Sequence, residues 1–163
     1  TTFTDKDDRT DTIDIGGYFL YKHLDVAANL GSPQSGLNWT IHRYAEVLLI
    51  HAEALNETGT QDYSGLNAIR ARANLAPLSG LSQNQFREAV WKEKWFELSF
   101  ENKTWYDMVR VRKALDVING NFVEYVGYTP PYLSNSIGTR ELLFPIPFSE
   151  LQNNVNLVQN PGY

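Results

Sequence analysis

The sequence predicts an all-α fold of stacked α-helical hairpins with long irregular loops and an extended C-terminal tail. Apolar residues recur at helical spacing in four consecutive segments, which begin about every 20 residues, as they do in stacked hairpins. Glycine, proline and polar residues dominate on both sides, and Pro145 and Pro147 oppose a regular helix near the end. We therefore expect one domain over residues 1–163, made of an irregular lead-in (1–38), four helices (39–119), and a loop with an extended tail (120–163).

The first two helices form a predicted antiparallel hairpin. From Ile41 to Glu57 the apolar stripe is so wide that this helix should be covered on more than one side. Gly59 can adopt the left-handed conformation that ends it. A shorter helix then runs to about Asn74, before Pro77. The pair has about the 34 residues of a tetratricopeptide unit, so the predicted stacking is tetratricopeptide-like.

The third helix has a capping-box signal at its start. Ser82 is followed three residues later by Gln85, so that each side chain can satisfy a backbone N–H at the helix start. The apolar pattern continues to about Phe100. Asn102 then stands where a left-handed residue is needed, and asparagine tolerates that conformation well.

The fourth helix has the same signal in Thr104 and Asp107, which predicts a cap at Thr104. Its apolar positions extend through Leu115, and we expect it to end before Gly120.

Composition excludes several classes of function. The net charge is -5 and lysine and arginine form no run, so nucleic acid is not an expected partner. The chain has no cysteine, which excludes thiolate chemistry. No apolar run approaches the roughly 20 residues that cross a bilayer, and the polar start is not a secretory signal. If the protein is anchored to a membrane, the anchor is therefore expected to lie outside this chain.

Three glutamates on the third helix raise the question of catalysis. Glu93, Glu97 and Glu101 recur every four residues, and glycoside hydrolases use paired carboxylates. However, Glu93 falls on the apolar stripe, where an unpaired carboxylate is costly, so ion pairs within the scaffold are the favoured interpretation. The arginines that neighbouring helices can direct toward Glu93 and Glu97 are Arg43, Arg70, Arg72, Arg110 and Arg112.

No other motif indicates an enzyme, a metal or a cofactor. His23, His42 and His51 lack the spacing of a metal site, and no glycine-rich phosphate loop follows a strand. No Gly-x-Ser-x-Gly segment is present. We therefore predict no catalytic residue, no metal and no cofactor.

Aromatic residues supply the candidate ligand contacts. Tyr125, Tyr128 and Tyr132 lie in a loop with glycine and two prolines, where no regular element turns their rings inward. The alternative is that they cover the ends of the helical hairpins. Trp91 and Trp95 are four residues apart and can form a sugar-stacking platform, although their spacing favours the core.

Seven segments, taken in order, resemble conserved blocks of the SusD/RagB family. They are Arg43-Tyr44-Ala45-Glu46-Val47-Leu48-Leu49, Ala52-Glu53-Ala54-Leu55-Asn56, Ala68-Ile69-Arg70-Ala71-Arg72-Ala73, Glu97-Leu98-Ser99-Phe100-Glu101, Trp105-Tyr106-Asp107-Met108, Leu143-Phe144-Pro145-Ile146-Pro147 and Gln159-Asn160-Pro161-Gly162-Tyr163. The chain departs from the family at Lys94-Trp95, where paired arginines are usual, and at Asn102, where glycine is usual.

The resemblance implies a function that the residues alone do not. It is to the C-terminal part of surface-exposed lipoproteins in the outer membrane of Gram-negative bacteria. Such proteins bind nutrient glycans or peptides without catalysis and act with a SusC-like TonB-dependent channel that imports the ligand. We therefore expect a glycan-binding component of polysaccharide utilisation. The alternative is a tetratricopeptide-like scaffold that binds peptides or proteins, including peptide nutrients.

Overall fold

The computed structural model describes residues 2–4, 10–12, 21–23, 25 and 35–163. The chain forms two compact units, Thr1–Ile41 and His42–Tyr163. In the first, β1 (Thr2–Thr4) pairs antiparallel with β2 (Thr10–Thr12), and a 3-10 turn spans Tyr21–His23. The lead-in predicted to be irregular therefore contains a short strand pair.

All four predicted helices are present in the second unit. They are α1 (Tyr44–Glu57), α2 (Ser64–Arg72), α3 (Gln83–Glu97) and α4 (Thr104–Val111). The helical part of the fold prediction is confirmed, whereas the tetratricopeptide-like stacking stays a prediction. None of the helices in the described part of the chain combines the length and the apolar character needed to cross a membrane.

Local signals account for some of the helix ends. The Ser82 hydroxyl accepts from the Gln85 N–H, and the Gln85 side chain accepts from the Ser82 N–H, so the capping box is confirmed. Gly59 and Asn102 have φ values of 87° and 58°, as predicted for left-handed positions. The cap predicted at Thr104 is wrong, because Thr104 is the first helical residue and makes no cap hydrogen bond.

The core of the second unit lies where α1 packs against both α2 and α3. It consists of Leu49, Ala52, Leu66, Ile69, Phe86 and Val90. The side of α1 that faces away from this core exposes Tyr44, Val47 and Ile50, whose exposed fractions are 75%, 52% and 50%. α1 is thus covered by α2 and by α3, as expected, whereas this further side stays exposed within the described residues.

A β-hairpin replaces the predicted end of the fourth helix. β3 (Lys113–Asp116) pairs antiparallel with β4 (Asn121–Glu124), so the fold is not purely helical and the helix predicted through Leu115 is wrong. Arg112 ends α4 in a left-handed conformation with φ of 59°. A short apolar run fits both the helical and the strand period, so the pattern alone did not distinguish them.

The turn of this hairpin is built by Asp116 and Gly120. The Asp116 carboxylate accepts from the N–H groups of Ile118 and Asn119 at 3.0 and 3.3 Å, and the Asp116 C=O accepts from the Gly120 N–H. Gly120 has φ of 72°, which favours glycine.

The tail is also more regular than expected. A short helix, α5 (Phe148–Asn153), follows Pro147 directly, so the prediction of a wholly extended tail is wrong. Proline is tolerated at a helix start because no N–H is required there. Pro145 and Pro147 therefore limit where α5 begins, but they do not prevent this helix from forming.

Candidate functional site

The loop after β4 forms a small apolar cavity with α3, α4 and β3, which we call the aromatic crevice. Its walls include Trp95 from α3, Met108 from α4 and Leu115 from β3, and the loop contributes Tyr128 and Tyr132. It comprises about 330 Å³ of space, open solvent included, of which only about 40 Å³ can be occupied by the centre of a water molecule, so it is a shallow site. Small-molecule sites are concave and mostly apolar with a few polar groups, and the aromatic crevice has this composition.

Backbone hydrogen bonds hold the loop in place. The Gly127 N–H donates to the Ile137 C=O at 2.7 Å, and the Ile137 N–H donates to the Tyr128 C=O at 2.8 Å. The Leu133 N–H donates to the Pro130 C=O at 2.9 Å inside the loop. The loop between residues 128 and 137 is therefore closed at its base, which defines the backbone from which its aromatic side chains project.

The structure separates the three candidate tyrosines. Tyr125 is only 2% exposed, its N–H donates to the Arg112 C=O at 3.0 Å, and burial raises the pKa of its hydroxyl. The ring of Tyr125 therefore belongs to the packed interior, and this burial argues against the predicted ligand contact. Tyr128 is half-buried and Tyr132 is 80% exposed, and both line the aromatic crevice.

The two tryptophans of α3 also differ. Trp91 is half-buried, its ring packs edge-on against Phe122 at 5.6 Å between centroids, and its indole N–H donates to Glu53 at 3.0 Å. Trp95 is half-buried and forms a wall of the aromatic crevice with Met108. Sequence reasoning placed Trp95 with the core and did not select Met108. The four-residue spacing of Trp91 and Trp95 shows only that both share one side of α3 with other apolar residues.

The predicted glutamates of α3 are buried and make ion pairs with arginines. Glu97 accepts from Arg43 at 2.6 Å and from Arg72 at 2.5 Å, which connects it to residues at the start of α1 and the end of α2. Glu93 accepts from Arg70 at 3.0 Å. Both carboxylates belong to residues that are 7% exposed.

A second ion-pair cluster surrounds Glu53 on α1. Its carboxylate accepts from Lys94 Nζ at 2.6 Å, from Arg110 Nη1 at 2.8 Å and from the Trp91 indole. Burial opposes ionisation, but the hydrogen bonds from Arg110 and Lys94 outweigh it and lower the pKa of Glu53 to about 2. Arg110 is among the ion-pair candidates predicted from the sequence, but Glu53 and Lys94 are not. The alternation of acidic and basic residues among the helices is a signal that could indicate them.

These glutamates do not form the arrangement of a glycoside hydrolase. Such enzymes need two carboxyl groups that both face a bound sugar. Here Glu93 and Glu97 are buried against arginines, and Glu101 accepts from Arg43 at 2.7 Å. Among the residues that the structure describes, no three histidine, aspartate or glutamate side chains are grouped to hold a metal ion.

A larger, shallower cavity lies between α1 and α4, which we call the helical groove. It encloses about 890 Å³ of space that is largely open to solvent. Ile50 and Tyr106 contribute apolar surface and are 50% and 59% exposed. The charged residues of its walls include Lys103, which pairs with Glu46 at 3.0 Å.

The chain is similar to known proteins over most of its length. The model of the SusD family matches residues 4–163. A SusD-like protein of Formosa agariphila, P2, is 39% identical over 155 residues, which are 88% of this chain and 29% of that protein. Another from the same organism, P25, is 35% identical over 77% of this chain and 25% of its own length. The chain thus spans less than a third of the length of these curated relatives.

Solved structures agree. A SusD superfamily protein from Parabacteroides distasonis is 44% identical, with a TM-score of 0.75 over 80% of this chain and 28% of that one. A SusD-like protein from Bacteroides fragilis is 28% identical, with a TM-score of 0.57 over 77% of this chain and 26% of that one. Sequence and fold therefore support the same assignment. The chain belongs to the SusD family.

Proposed function

We propose that this protein captures a nutrient glycan without catalysis and that the aromatic crevice is one of its contact sites. The observation that carries the proposal is the position of Tyr132, which is 80% exposed at the edge of the aromatic crevice, beside half-buried Tyr128. An aromatic ring offers an apolar face and, in tyrosine, a polar end. These are the two kinds of contact that a sugar ring with its hydroxyl groups requires.

The ion pairs support a rigid frame for this site. Lys94 lies directly before Trp95 in α3, and its pairing with Glu53 connects that part of α3 to α1. Lys94 Nζ also lies 3.6 Å from Oδ1 of Asp107, which directly precedes Met108 in α4. Sites on rigid elements keep their geometry better than sites on loops alone.

Membership of the SusD family supports the wider setting that we propose. The protein acts at the cell surface as an outer-membrane lipoprotein of a Gram-negative bacterium. It passes its ligand to a SusC-like TonB-dependent channel. The proposal assigns it no enzymatic step, in keeping with the buried, arginine-paired carboxylates of α3.

The test is glycan binding by variants of Tyr132. The protein is screened against neutral and charged polysaccharides by affinity electrophoresis, followed by calorimetry and product analysis. We expect retardation by at least one glycan without product, weaker binding by Tyr132→Ala, and a smaller loss by Tyr132→Phe, which keeps the ring. Tyr44→Ala, which removes a similarly exposed tyrosine from α1, is the control. Unchanged binding by Tyr132→Ala would exclude the crevice, and product formation would exclude the non-catalytic function.

The helical groove supports a second candidate, a scaffold that binds a peptide or a protein. Exposed Ile50 and Tyr106 in a groove between two helices resemble the surfaces that accept an amphipathic segment. Ile50→Lys should then abolish peptide binding and leave glycan retardation unchanged. Peptide binding that survives Ile50→Lys would argue against this candidate.

A further inference from the structure

We propose that the aromatic crevice selects uncharged sugar units and rejects units that carry a carboxylate or sulfate group. The inference rests on the glycan-binding function proposed above, and it names the class of ligand that this site accepts. Its basis is the charge of the groups around the crevice.

Among the residues that the structure describes, the walls of the aromatic crevice contain no cation. Its lining consists of apolar side chains and two tyrosines, without lysine, arginine or histidine. The loop from Tyr125 to Gly138 has no charged residue at all, and its polar groups outside the tyrosines are the neutral side chains of Thr129, Ser134, Asn135 and Ser136. Hydroxyl and amide groups can hydrogen-bond to sugar hydroxyls, but they do not neutralise an anion.

The basic residues on the neighbouring elements do not line the crevice, and Lys92 of α3 donates to the Gly120 C=O at 3.2 Å in the hairpin turn. Lys94 of α3 pairs with Glu53, and Lys113 of β3 forms a cross-strand ion pair with Glu124. Arg112, between α4 and β3, is exposed and does not line the crevice. A carboxylate or sulfate in the crevice would therefore lose water without gaining an ion pair, which is unfavourable.

One fixed charge that acts on Tyr128 in the crevice is negative. Burial and then the Asp116 carboxylate raise the pKa of the Tyr128 hydroxyl, so an added negative charge at Tyr128 is disfavoured. Asp116 is held in place by the turn of the β-hairpin, where it accepts from Ile118 and Asn119. The turn therefore holds this carboxylate in a defined position on the hairpin.

Val117 offers a way to change the charge without disturbing the core. It lines the crevice and is 55% exposed, directly after β3. Lysine at this position adds a cation beside a bound ligand, and glutamate adds a second negative charge in the same place. The two variants form a matched pair, and equal melting temperatures would show that both fold like the wild type.

The experiment compares a neutral polysaccharide with its own sulfated or carboxymethylated derivative, by calorimetry on the wild type, Val117→Lys and Val117→Glu. We expect the wild type to bind the derivative at least about tenfold more weakly, since like charges and unpaired anions are penalised. Val117→Lys should reduce this difference and Val117→Glu should increase it.

The outcomes separate the inference from the function on which it rests. Equal or tighter binding of the anionic derivative by the wild type would overturn the selectivity, while glycan capture would stand. A preference for the neutral polysaccharide that neither Val117 variant alters would place the discrimination outside the crevice and would also overturn the inference. Retention of neither polysaccharide by any variant, together with a blank result in the wider glycan panel, would overturn the proposed function itself.

Discussion

The side-chain amide of Gln159 pairs with the backbone of Ile146 in both directions. The Ile146 N–H donates to Gln159 Oε1 at 2.7 Å, and Gln159 Nε2 donates to the Ile146 C=O at 2.9 Å. Ile146 lies between Pro145 and Pro147, whose missing N–H groups prevent a regular strand pairing of this segment. The Gln159 amide supplies the hydrogen-bond partners that a neighbouring strand would otherwise provide. It thereby connects segment 143–147 with segment 159–163 of the tail.

Replacement of Gln159 by leucine should destabilise the tail. It leaves both backbone groups of half-buried Ile146 without their partner, at a cost of about 1–3 kcal/mol in the free energy of unfolding. Urea denaturation measures this. Gln152→Leu, at an exposed position in α5, is the control and should have little effect. Equal losses in the two variants would contradict the role of the pairing.

Glu53→Gln should destabilise the helical frame much more than Glu57→Gln. The first change leaves buried Lys94 without its carboxylate, and breaking a buried pair costs about 3–5 kcal/mol. Glu57 is 46% exposed and pairs with Arg87 at 2.5 Å, so its loss should cost about 1 kcal/mol or less. Thermal or urea unfolding of both variants measures the two losses of stability. Similar losses would contradict the expectation that a buried ion pair costs more to break than an exposed one.

The same carboxylate should make stability depend on acid pH. The pKa of Glu53 is about 2 in the folded chain against an ordinary value of 4.5, so the unfolded chain takes up the proton first. Its contribution to stability is complete above pH 4.5 and is lost as the pH falls toward 2. Unfolding measured from pH 6 to pH 2 should therefore show a steeper loss, by roughly 3 kcal/mol, for the wild type than for Glu53→Gln. If the stabilities of the wild type and Glu53→Gln fall in parallel between pH 6 and pH 2, Glu53 does not titrate in this way.

Replacement by alanine should lower stability at Tyr125 but weaken glycan binding at Tyr132. Tyr125→Ala removes a ring that is 2% exposed and should cost about 3–5 kcal/mol of stability, as large aromatic truncations do. Tyr132→Ala removes a ring that is 80% exposed, so the unfolding midpoint should hardly change while glycan binding weakens. Calorimetry of unfolding and of binding on both variants tests this. A stable Tyr125→Ala variant would contradict the packing of its ring.

The local structure of the helices was largely predictable. The capping box of Ser82 and Gln85 and the left-handed positions at Gly59 and Asn102 depend on groups only a few residues apart. By contrast, the Arg112 conformation that ends α4 has no comparable local signal. The following apolar run is compatible with both a helix and a strand, and only pairing with Asn121–Glu124 selects the strand.

The sequence by itself determined the family, the main helices and the absence of charge in the loop after β4, because these depend on residue order and local chemistry. Tertiary structure decided which of three similar tyrosines is buried and which is exposed. It also decided that Lys94 pairs with Glu53, 41 residues away in the chain. Burial and pairing depend on residues that folding brings together from distant positions, and no spacing within one segment contains that information.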